Sequence, residues 1–458
     1  MNTGISPIRG NSVFFTILAL PFFSFFCFSQ TDATIFREFR FDFSTPGARA
    51  NGMGRAFVGL SDEATAAYNN PAGISVLKSP EFSFEYRFDH NAFDALAPND
   101  DFGIRQTKPV DTRFDLDRVG FASYAFSLKN LNISLFYVNN LDYRRAPVAD
   151  ETTFEHETER YVVTYINVFE VEKIQLNSMG FSMSRDFGKL DVGFAAAMTT
   201  LTMDFNYFTS LDSFVLDYED LVDSVADHES KKAALVLGLM YEASPRLKFG
   251  LSYKRQPSFT YTEQVKNQEF LEERVDVPVK FKVPDSLQVG IAYQPSDLWT
   301  VLLDCEWVRY GQLVHDTTVL SRALTADNRG TGEFFSFAPD EYQIDEKPAF
   351  HLGAEYLAPF QKNILALRFG AFYTSDQKTR FEGNTRPPPP PASGSDPFQN
   401  TRSLWDVQEY IYNTDLKSEE LGYTLGLGFV WHDRLQMDVA YVQADRFQRI
   451  VTSFLYRF

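Results

Sequence analysis

The six histidines are the side chains of this chain with the clearest capacity for acid–base or metal chemistry. They show no HExxH motif and no other metal-ligand spacing. His351 has Glu355 four residues further along, but no nearby serine completes a nucleophilic set. The triplet Gly52–Met53–Gly54 resembles part of a dinucleotide loop, yet no βαβ unit surrounds it. The sequence therefore predicts no catalytic residue, no metal site, no cofactor and no enzymatic activity.

Composition excludes further classes of function. The 458 residues carry a formal net charge of −18, which argues against nucleic acid or an anionic surface as a partner. Aromatic residues make up 16% of the chain, which is high for a soluble protein. Beyond the N-terminal stretch, however, no run of about 18 apolar residues could form a spanning helix. A membrane β-barrel reconciles these two facts, because each strand presents only one face to lipid. A soluble β-sandwich or solenoid is the alternative.

Residues 1–29 are predicted to be a cleaved secretory signal peptide. A positively charged residue precedes the largely apolar run 13–28, and Cys27 and Ser29 are small residues at the −3 and −1 positions of a cut. An uncleaved membrane anchor is the alternative. Cleavage leaves Cys305 as the single cysteine, so the mature chain is expected to contain no internal disulfide.

Alternation of apolar and polar residues recurs along most of the remaining chain. In residues 299–307 and 421–431, large apolar side chains occupy every second position, as a half-buried strand requires. The pattern predicts about fourteen strands, at roughly 81–90, 117–129, 131–145, 170–187, 189–208, 231–243, 246–264, 283–295, 298–313, 346–358, 363–375, 418–431, 434–445 and 447–458.

The predicted connections differ in length on the two sides of the strands. Tight turns such as Lys129–Asn130 alternate with long polar connections such as 209–230 and 265–282. This asymmetry is typical of outer-membrane barrels. The connection 376–417 contains five consecutive prolines and is predicted to be a stiff surface spacer.

The C-terminus predicts how such a barrel closes. Residues 447–458 alternate with period two and end on phenylalanine. One face carries Phe454, Tyr456 and Phe458, the pattern with which bacterial outer-membrane barrels close on their first strand. We therefore expect outer-membrane lipid and the barrel-assembly machinery as partners, and a monomer, because closure needs no second chain.

The stretch before the first strand does not fit a membrane strand. Residues 30–80 are punctuated by glycines. A barrel of about fourteen strands is wider than its own inward side chains can fill. We therefore predict a signal peptide over 1–29, a hatch inside the lumen over 30–80 and an antiparallel transmembrane barrel over 81–458.

Two stretches carry a resemblance to a known family. The run Gly47–Phe57 (GARANGMGRAF), followed by Asp62–Ala64 and Asn70–Ala72, resembles the N-terminal hatch of the long-chain fatty-acid and hydrocarbon outer-membrane transporters, the FadL/TodX-like family. Residues 283–310 also resemble that family's strand 8–9 hairpin. The resemblance implies a fourteen-stranded barrel with a hatch. It also implies that the hatch rearranges to release the ligand, which leaves sideways through a wall opening at a strand kink.

The motif specifies the superfamily better than its cargo. The Gly-rich opening and Asn-Pro-Ala are shared with the PorV-like barrels of type IX protein secretion. The hatch-motif residues are Gly52, Gly54, Asn70, Pro71 and Ala72. Such glycines and prolines are also explained by backbone shape alone.

The resemblance implies passive uptake of long-chain fatty acids or similar hydrophobic compounds across a bacterial outer membrane. An alkyl chain gains about 0.8 kcal/mol for each CH₂ that leaves water, so an apolar groove is required. The candidates in the hatch are Phe36, Phe39, Phe41, Phe43 and Phe57. A carboxylate needs a cation, and the inward candidates are Arg368, Lys248 and Lys254.

Three other functions are compatible with the same barrel. A PorV-like secretion or shuttling barrel would bind proteins at its extracellular loops. A general porin would have an open, wet lumen. A structural or adhesive surface protein would use the long loops alone.

Overall fold

In the computed structural model, fourteen antiparallel strands form a closed barrel, which confirms the predicted fold class. The structure describes residues 41, 43, 46–93, 104–106, 112–145, 148–155, 162–213, 218–267, 275–315, 322–324, 334–336, 342–375, 379–382, 419–445 and 447–458. The predicted signal peptide and proline spacer lie outside them. The barrel strands are β1 (Glu81–Phe93), β2 (Thr112–Leu128), β3 (Leu131–Arg145), β4 (Val162–Asp186), β5 (Leu190–Ser213), β6 (Tyr218–Ser244), β7 (Leu247–Arg255), β8 (Ser286–Ser296), β9 (Trp299–Val308), β10 (Ala349–Phe360), β11 (Asn363–Thr374), β12 (Glu420–Trp431), β13 (Leu435–Gln443) and β14 (Phe447–Arg457).

The helices are short. They are α1 (Ala48–Gly52), α2 (Ala66–Asn69), a 3₁₀ helix (Pro71–Val76) and α3 (Gly311–His315). Within the described ranges, none of the helices has the length and apolar character needed to cross a membrane. Eight further strands lie outside the ring or extend parts of it, at Ile104–Gln106, Val148–Glu155, Ser258–Asn267, Val275–Lys282, Arg322–Leu324, Phe334–Ser336, Tyr342–Ile344 and Thr379–Phe381.

The last strand closes the ring on the first. β14 pairs antiparallel with β1 from Arg457–Glu81 to Phe447–Asn91. The outward rings of Phe454 and Phe82 meet edge to face at 6.5 Å between centroids. The start of β1, the C-terminus and the short turns, except the one between β13 and β14, lie at one end of the barrel, which we call the lower end. The long connections lie at the upper end.

The two faces of the wall differ in polarity as a membrane barrel requires. On β11, Leu365 and Phe369 point outward and are exposed, whereas Ala366 and Arg368 point inward and are buried. The same alternation recurs around the ring, so the outer surface is a band of exposed large apolar side chains and the inner surface carries buried charged residues. An outward apolar band of this kind is typical of barrels that lie in lipid.

Three strands extend well beyond a membrane. β4, β5 and β6 contain 25, 24 and 27 residues, whereas about 9–11 residues suffice to cross a bilayer. The predicted connection 209–230 is therefore largely strand. The sequence pattern missed these extensions because a strand above the membrane has no need of a lipid-facing apolar row.

The predicted strand 246–264 is divided in the structure. β7 ends at Arg255, and after Pro257 the chain forms a separate hairpin, Ser258–Asn267 paired with Val275–Lys282. Proline lacks the N–H that a strand ladder needs, which accounts for the break.

The wall between β2 and β3 has a ladder only in its lower part. The two strands pair from Leu128–Leu131 up to Phe121–Val138. Above that point β2 pairs with β1 and β3 pairs with β4. Register shifts occur at the same height, next to Gly120 in β2 and at Asn140 in β3. We call the unpaired upper part of this wall the β2–β3 gap.

Candidate functional site

Residues Gly47–Leu77, which we call the N-terminal segment, contact strands from opposite sides of the ring. Ala48 N donates to Ser453 Oγ of β14 at 3.1 Å, and Gly54 N donates to Thr424 Oγ1 of β12 at 2.8 Å. Phe57 N donates to Asp304 Oδ2 of β9 at 2.6 Å. These strands anchor the first half of the segment.

The second half is held by the other strands. Ser252 Oγ of β7 donates to Asn69 O at 2.6 Å, and Ser123 Oγ of β2 donates to Ala64 O at 3.0 Å. Asn132 Nδ2 of β3 donates to the carbonyl of Ile74 at 2.6 Å. Because partners come from all around the ring, the segment lies across the lumen.

The hatch-motif glycines lie where the backbone of the segment touches the wall. Gly54 has φ +64, and a Cβ there would lie 2.3 Å from the carbonyl oxygen of Leu352. A Cβ on Gly52 would lie 2.9 Å from Gly426 Cα. Only glycine fits both places, because any larger residue would push the segment away from β10–β12.

The Asn-Pro-Ala part of the motif makes a second close contact. Asn70 Nδ2 donates to the carbonyl oxygens of Val58 at 3.1 Å and Leu239 at 3.2 Å, while its Oδ1 caps the 3₁₀ helix by accepting from Ala72 N. Pro71 opens that helix, where its missing N–H costs nothing. All five motif residues therefore have a packing or capping role.

A buried ion network joins the N-terminal segment to the wall. Arg49 Nη1 pairs with Asp62 at 2.6 Å, and Arg49 Nη2 pairs with Glu355 of β10 at 2.8 Å. Arg368 Nε of β11 binds the same carboxylate at 2.8 Å, and its Nη1 binds Asp438 of β13 at 2.7 Å. Arg49 thus links two parts of the segment to β10 directly, and Glu355 and Arg368 extend the network to β11 and β13.

In the N-terminal segment, Arg49 and Glu63 have shifted pKa values. Burial opposes the charge of Arg49, but Asp62, Glu355 and Glu63 hold its pKa well above the ordinary value. Burial raises the pKa of Glu63 to about 7, and Arg49, whose Nη1 lies 3.3 Å away, only partly offsets this. Sequence reasoning did not single out either residue, although both lie within the stretches that resemble the family hatch.

The three predicted carboxylate partners lie in three different places. Arg368 makes two ion pairs within the protein, as described above. Lys254 Nζ donates to Gln288 Oε1 at 2.8 Å and lies 5.4 Å from the ring centroid of Tyr68. Lys248 is half-buried at the lower end of β7. The structure does not bring them together.

Two of the five predicted ligand-binding aromatics do lie together. Phe41 and Phe43 are buried and stacked at 5.2 Å between centroids. They belong to an apolar cluster in the upper half of the barrel, which we call the upper cluster. It draws side chains from β3 to β6, from the extra hairpin and from the residues after β9, including Leu141, Ile174, Leu201, Phe259, Phe281 and Tyr310.

The other three predicted aromatics are not in this cluster. Phe57 packs in a separate group with Met53 and Leu302 against β8 and β9. Phe36 and Phe39 lie outside the described residues. In the part of the chain that the structure describes, no group of His, Cys, Asp and Glu side chains is arranged to hold a metal ion.

Fold and lumen together define a transmembrane β-barrel crossed internally by its own N-terminal segment. No protein-family model and no curated protein matches the sequence. Solved structures do match. A FadL homologue of Pseudomonas aeruginosa aligns with TM-score 0.60 and 11% identity, over 91% of this chain and 99% of that one.

Two toluene transporters are similar as well. TbuX of Ralstonia pickettii aligns with TM-score 0.55 and 13% identity, over 91% of this chain and 99% of its own. TodX of P. putida aligns with TM-score 0.54 and 12% identity, over the same shares. At these identities the likeness concerns the fold, and it confirms the FadL/TodX-like resemblance at that level.

Proposed function

We propose that this protein carries hydrophobic compounds passively across a bacterial outer membrane, and that long-chain fatty acids are among its ligands. The observation that carries the proposal is the upper cluster, an extended group of buried apolar side chains inside a lumen whose wall also carries buried charged and polar residues. An alkyl chain gains about 0.8 kcal/mol per CH₂ when it leaves water for such a surface.

In this proposal residues 30–80 form a hatch and residues 81–458 form the barrel. Support comes from the way the N-terminal segment is held. Its anchors are separate hydrogen bonds between wall side chains and the segment backbone, together with the Arg49 network. Such bonds exchange more readily than a strand ladder, because each one breaks separately.

The β2–β3 gap is the proposed lateral exit. On β1, the strand on the other side of β2, Glu85 accepts a hydrogen bond from Gly47 N of the segment. A Cβ on Gly120, at the bulge beside the gap, would meet the carboxylate of this same Glu85. A movement of the segment at Gly47 would therefore displace the Glu85 side chain, which also contacts Gly120 beside the gap.

Assembly follows from the same proposal. The signal peptide 1–29 directs export, and the barrel-assembly machinery uses the terminal strand with Phe454, Tyr456 and Phe458. The closed pairing of β14 with β1 supports a monomer in outer-membrane lipid. The structures of similar fold are of transporters and channels, in agreement with a protein that is not an enzyme.

Uptake of labelled oleate by a bacterial host lacking its own fatty-acid transporter tests the proposal. We expect saturable uptake with this protein and none without it. Phe43→Ser should abolish most of the uptake, since it places a hydroxyl in the upper cluster. The matched control is Phe187→Ser, which changes an exposed ring at the turn between β4 and β5. Absence of uptake by a folded barrel in the outer membrane would contradict the proposal.

A PorV-like role in protein secretion or shuttling is the second candidate. One observation favours it, namely that β4, β5 and β6 extend far enough to offer a rigid surface above the membrane. If oleate uptake is absent and the barrel is folded, this candidate takes precedence. Cross-linking at these extensions in intact cells would then be expected to capture a secreted protein.

A further inference from the structure

Arg118 bridges the β2–β3 gap with its side chain. It lies on β2, and its Nε donates to Asn139 Oδ1 of β3 at 2.8 Å. Its Nη2 pairs with Asp89 Oδ2 of β1 at 2.7 Å. The guanidinium thus crosses the wall where no backbone ladder joins β2 and β3, and the side chain is only 10% exposed.

One nitrogen of this guanidinium has no partner. Arg118 Nη1 is buried and makes no hydrogen bond to any residue that the structure describes. A buried donor left unsatisfied costs about 1–3 kcal/mol, and more for a charged group. The gap therefore offers a buried donor, Arg118 Nη1, whose hydrogen bond a ligand oxygen could accept.

The carboxylate that Arg118 binds is shared. Asp89 also pairs with Arg449 of β14 at 2.6 Å, and Glu85 pairs with Arg87 on β1 nearby. Arginine forks bind carboxylates by charge-assisted hydrogen bonds, so the remaining Nη1 of Arg118 favours an anionic acceptor.

The height of this charged group suits the head of an amphipathic molecule. Phe88 of β1 is exposed on the outer apolar band, whereas His90, two residues higher, is exposed and pairs with Asp115. Asp89 lies between them, so this charged group is at the upper border of the band. Leu141 and Tyr143, which follow Asn139 on β3, belong to the upper cluster and could receive an alkyl chain.

We propose that Arg118 binds the carboxylate of an alkyl acid at the β2–β3 gap, and that this site favours acids over neutral hydrophobic compounds of the same length. The inference rests on the proposed uptake function and names the ligand class of that route. Arg118 thereby takes the role of carboxylate partner that the sequence suggested for Arg368, because Arg368 already pairs with Glu355 and Asp438.

Binding of oleate and of methyl oleate to the purified full-length protein in detergent tests this site. The two probes share an alkyl chain and differ in charge. Arg118→Met should weaken oleate binding about ten- to a hundredfold, the loss expected for a hydrogen bond to a charged group. Methyl oleate affinity should change by less than about twofold. Arg144→Met, at an exposed arginine of β3, is the matched control and should change neither.

Arg118→Lys keeps the charge but lacks the guanidinium fork, which could bind Asn139, Asp89 and the ligand at the same time. We expect intermediate oleate affinity with methyl oleate unchanged, and this variant decides the matter if Arg118→Met does not fold, as judged by heat-modified mobility on gels. Equal loss of both probes, or loss of neither, would overturn the inference while leaving hydrophobic uptake standing. If the unaltered protein binds neither probe, the proposed function itself fails.

Discussion

The two halves of the barrel wall are built differently. From β9 to β14 the strands pair without a register shift. From β1 to β7 the wall contains shifts beside Gly120 and at Asn140, the β2–β3 gap, and the division at Pro257. The regular half carries the inward side chains that bind Arg49, Gly54 and Phe57 of the N-terminal segment. The irregular half and the hairpin after Pro257 together supply most of the upper cluster.

This difference separates two tasks. An anchor needs side chains held in fixed positions, and regular ladders fix each inward residue through its neighbours. A route for a ligand through the wall needs an interruption of the strand pairing. Bulges provide one, because they locally disrupt the ladder and change the direction of side chains. We therefore expect substitutions in the regular half to act on the segment, and substitutions in the irregular half to act on ligand passage.

The largest effect is expected from Arg49→Met, which breaks the link between the segment and the regular half. It leaves the buried Glu63 and the half-buried Asp62 without their cation, and Glu355 with Arg368 alone. Removing one partner of a buried ion pair costs about 3–5 kcal/mol. Since no strand pairing is lost, the barrel should persist while the segment moves, and single-channel conductance in planar bilayers should rise.

Arg309→Met is the control for that variant, because it removes an arginine whose side chain is 55% exposed. It should leave the conductance unchanged. A closed, unaltered channel in Arg49→Met would show that backbone hydrogen bonds alone hold the segment, and the proposed division between the two halves would then be wrong.

A smaller effect is expected from Gly54→Ala, which tests contact with the regular half without changing any charge. The new Cβ would lie 2.3 Å from Leu352 O, in a backbone with φ +64. Overpacking costs about 1–3 kcal/mol, and a left-handed non-glycine residue adds about 1–2 kcal/mol.

Gly188→Ala separates these two terms. Gly188 has φ +91, but nothing lies within 4 Å of its Cβ position, so only the backbone term applies. Thermal unfolding of both variants should show the larger loss of stability for Gly54→Ala. Equal losses would mean that the segment can withdraw from β10 without cost.

The sequence was sufficient for most of the wall but for little of the site. Lipid-facing rows such as Leu421 to Trp431 carry their own period-two signal, so the membrane part of nearly every strand was predicted. The segment Ser258–Asn267 was taken as part of β7, because a period-two pattern does not show which neighbour a strand pairs with.

The site depends on contacts between distant residues. Arg49 and Glu355 are 306 positions apart, and Arg118 is recognisable only once β2 and β3 are seen to separate. The sequence pattern shows that Arg368 points inward, but it does not show which carboxylates face it across the lumen. Arg368 was therefore predicted to bind a ligand carboxylate, whereas in the structure it pairs with Glu355 and Asp438. Phe41 and Phe43 do lie in an apolar cluster, as expected of aromatic residues in a plug, and their role in ligand binding stays a prediction.

The smallest effect is expected from the ionisation of Glu63. This ionisation changes the charge of the Arg49 network, which binds the N-terminal segment to the regular half, and leaves the irregular half unchanged. Burial raises the pKa of Glu63 from 4.5 to about 7, against the attraction of Arg49 and with Asp438, Asp62 and Arg457 also nearby. The folded protein therefore binds more protons than the unfolded chain between these pH values. The stability that the protonated group contributes is fully present below about pH 4.5 and is lost as the pH rises through about 7.

Glu63→Gln should remove this titration. Hydrogen exchange of residues 47–77 measures it, as the ratio of protection at pH 5 to protection at pH 8 after correction for intrinsic rates. We expect the ratio to be about tenfold or more larger in the unaltered protein than in the variant, since a pKa difference of one already corresponds to a factor of ten. Glu242→Gln, at an exposed position near the lower end of β6, should leave the ratio unchanged. Parallel pH dependence in all three proteins would mean that Glu63 does not titrate within the anchor, and that Arg49 is held by Asp62 and Glu355 alone.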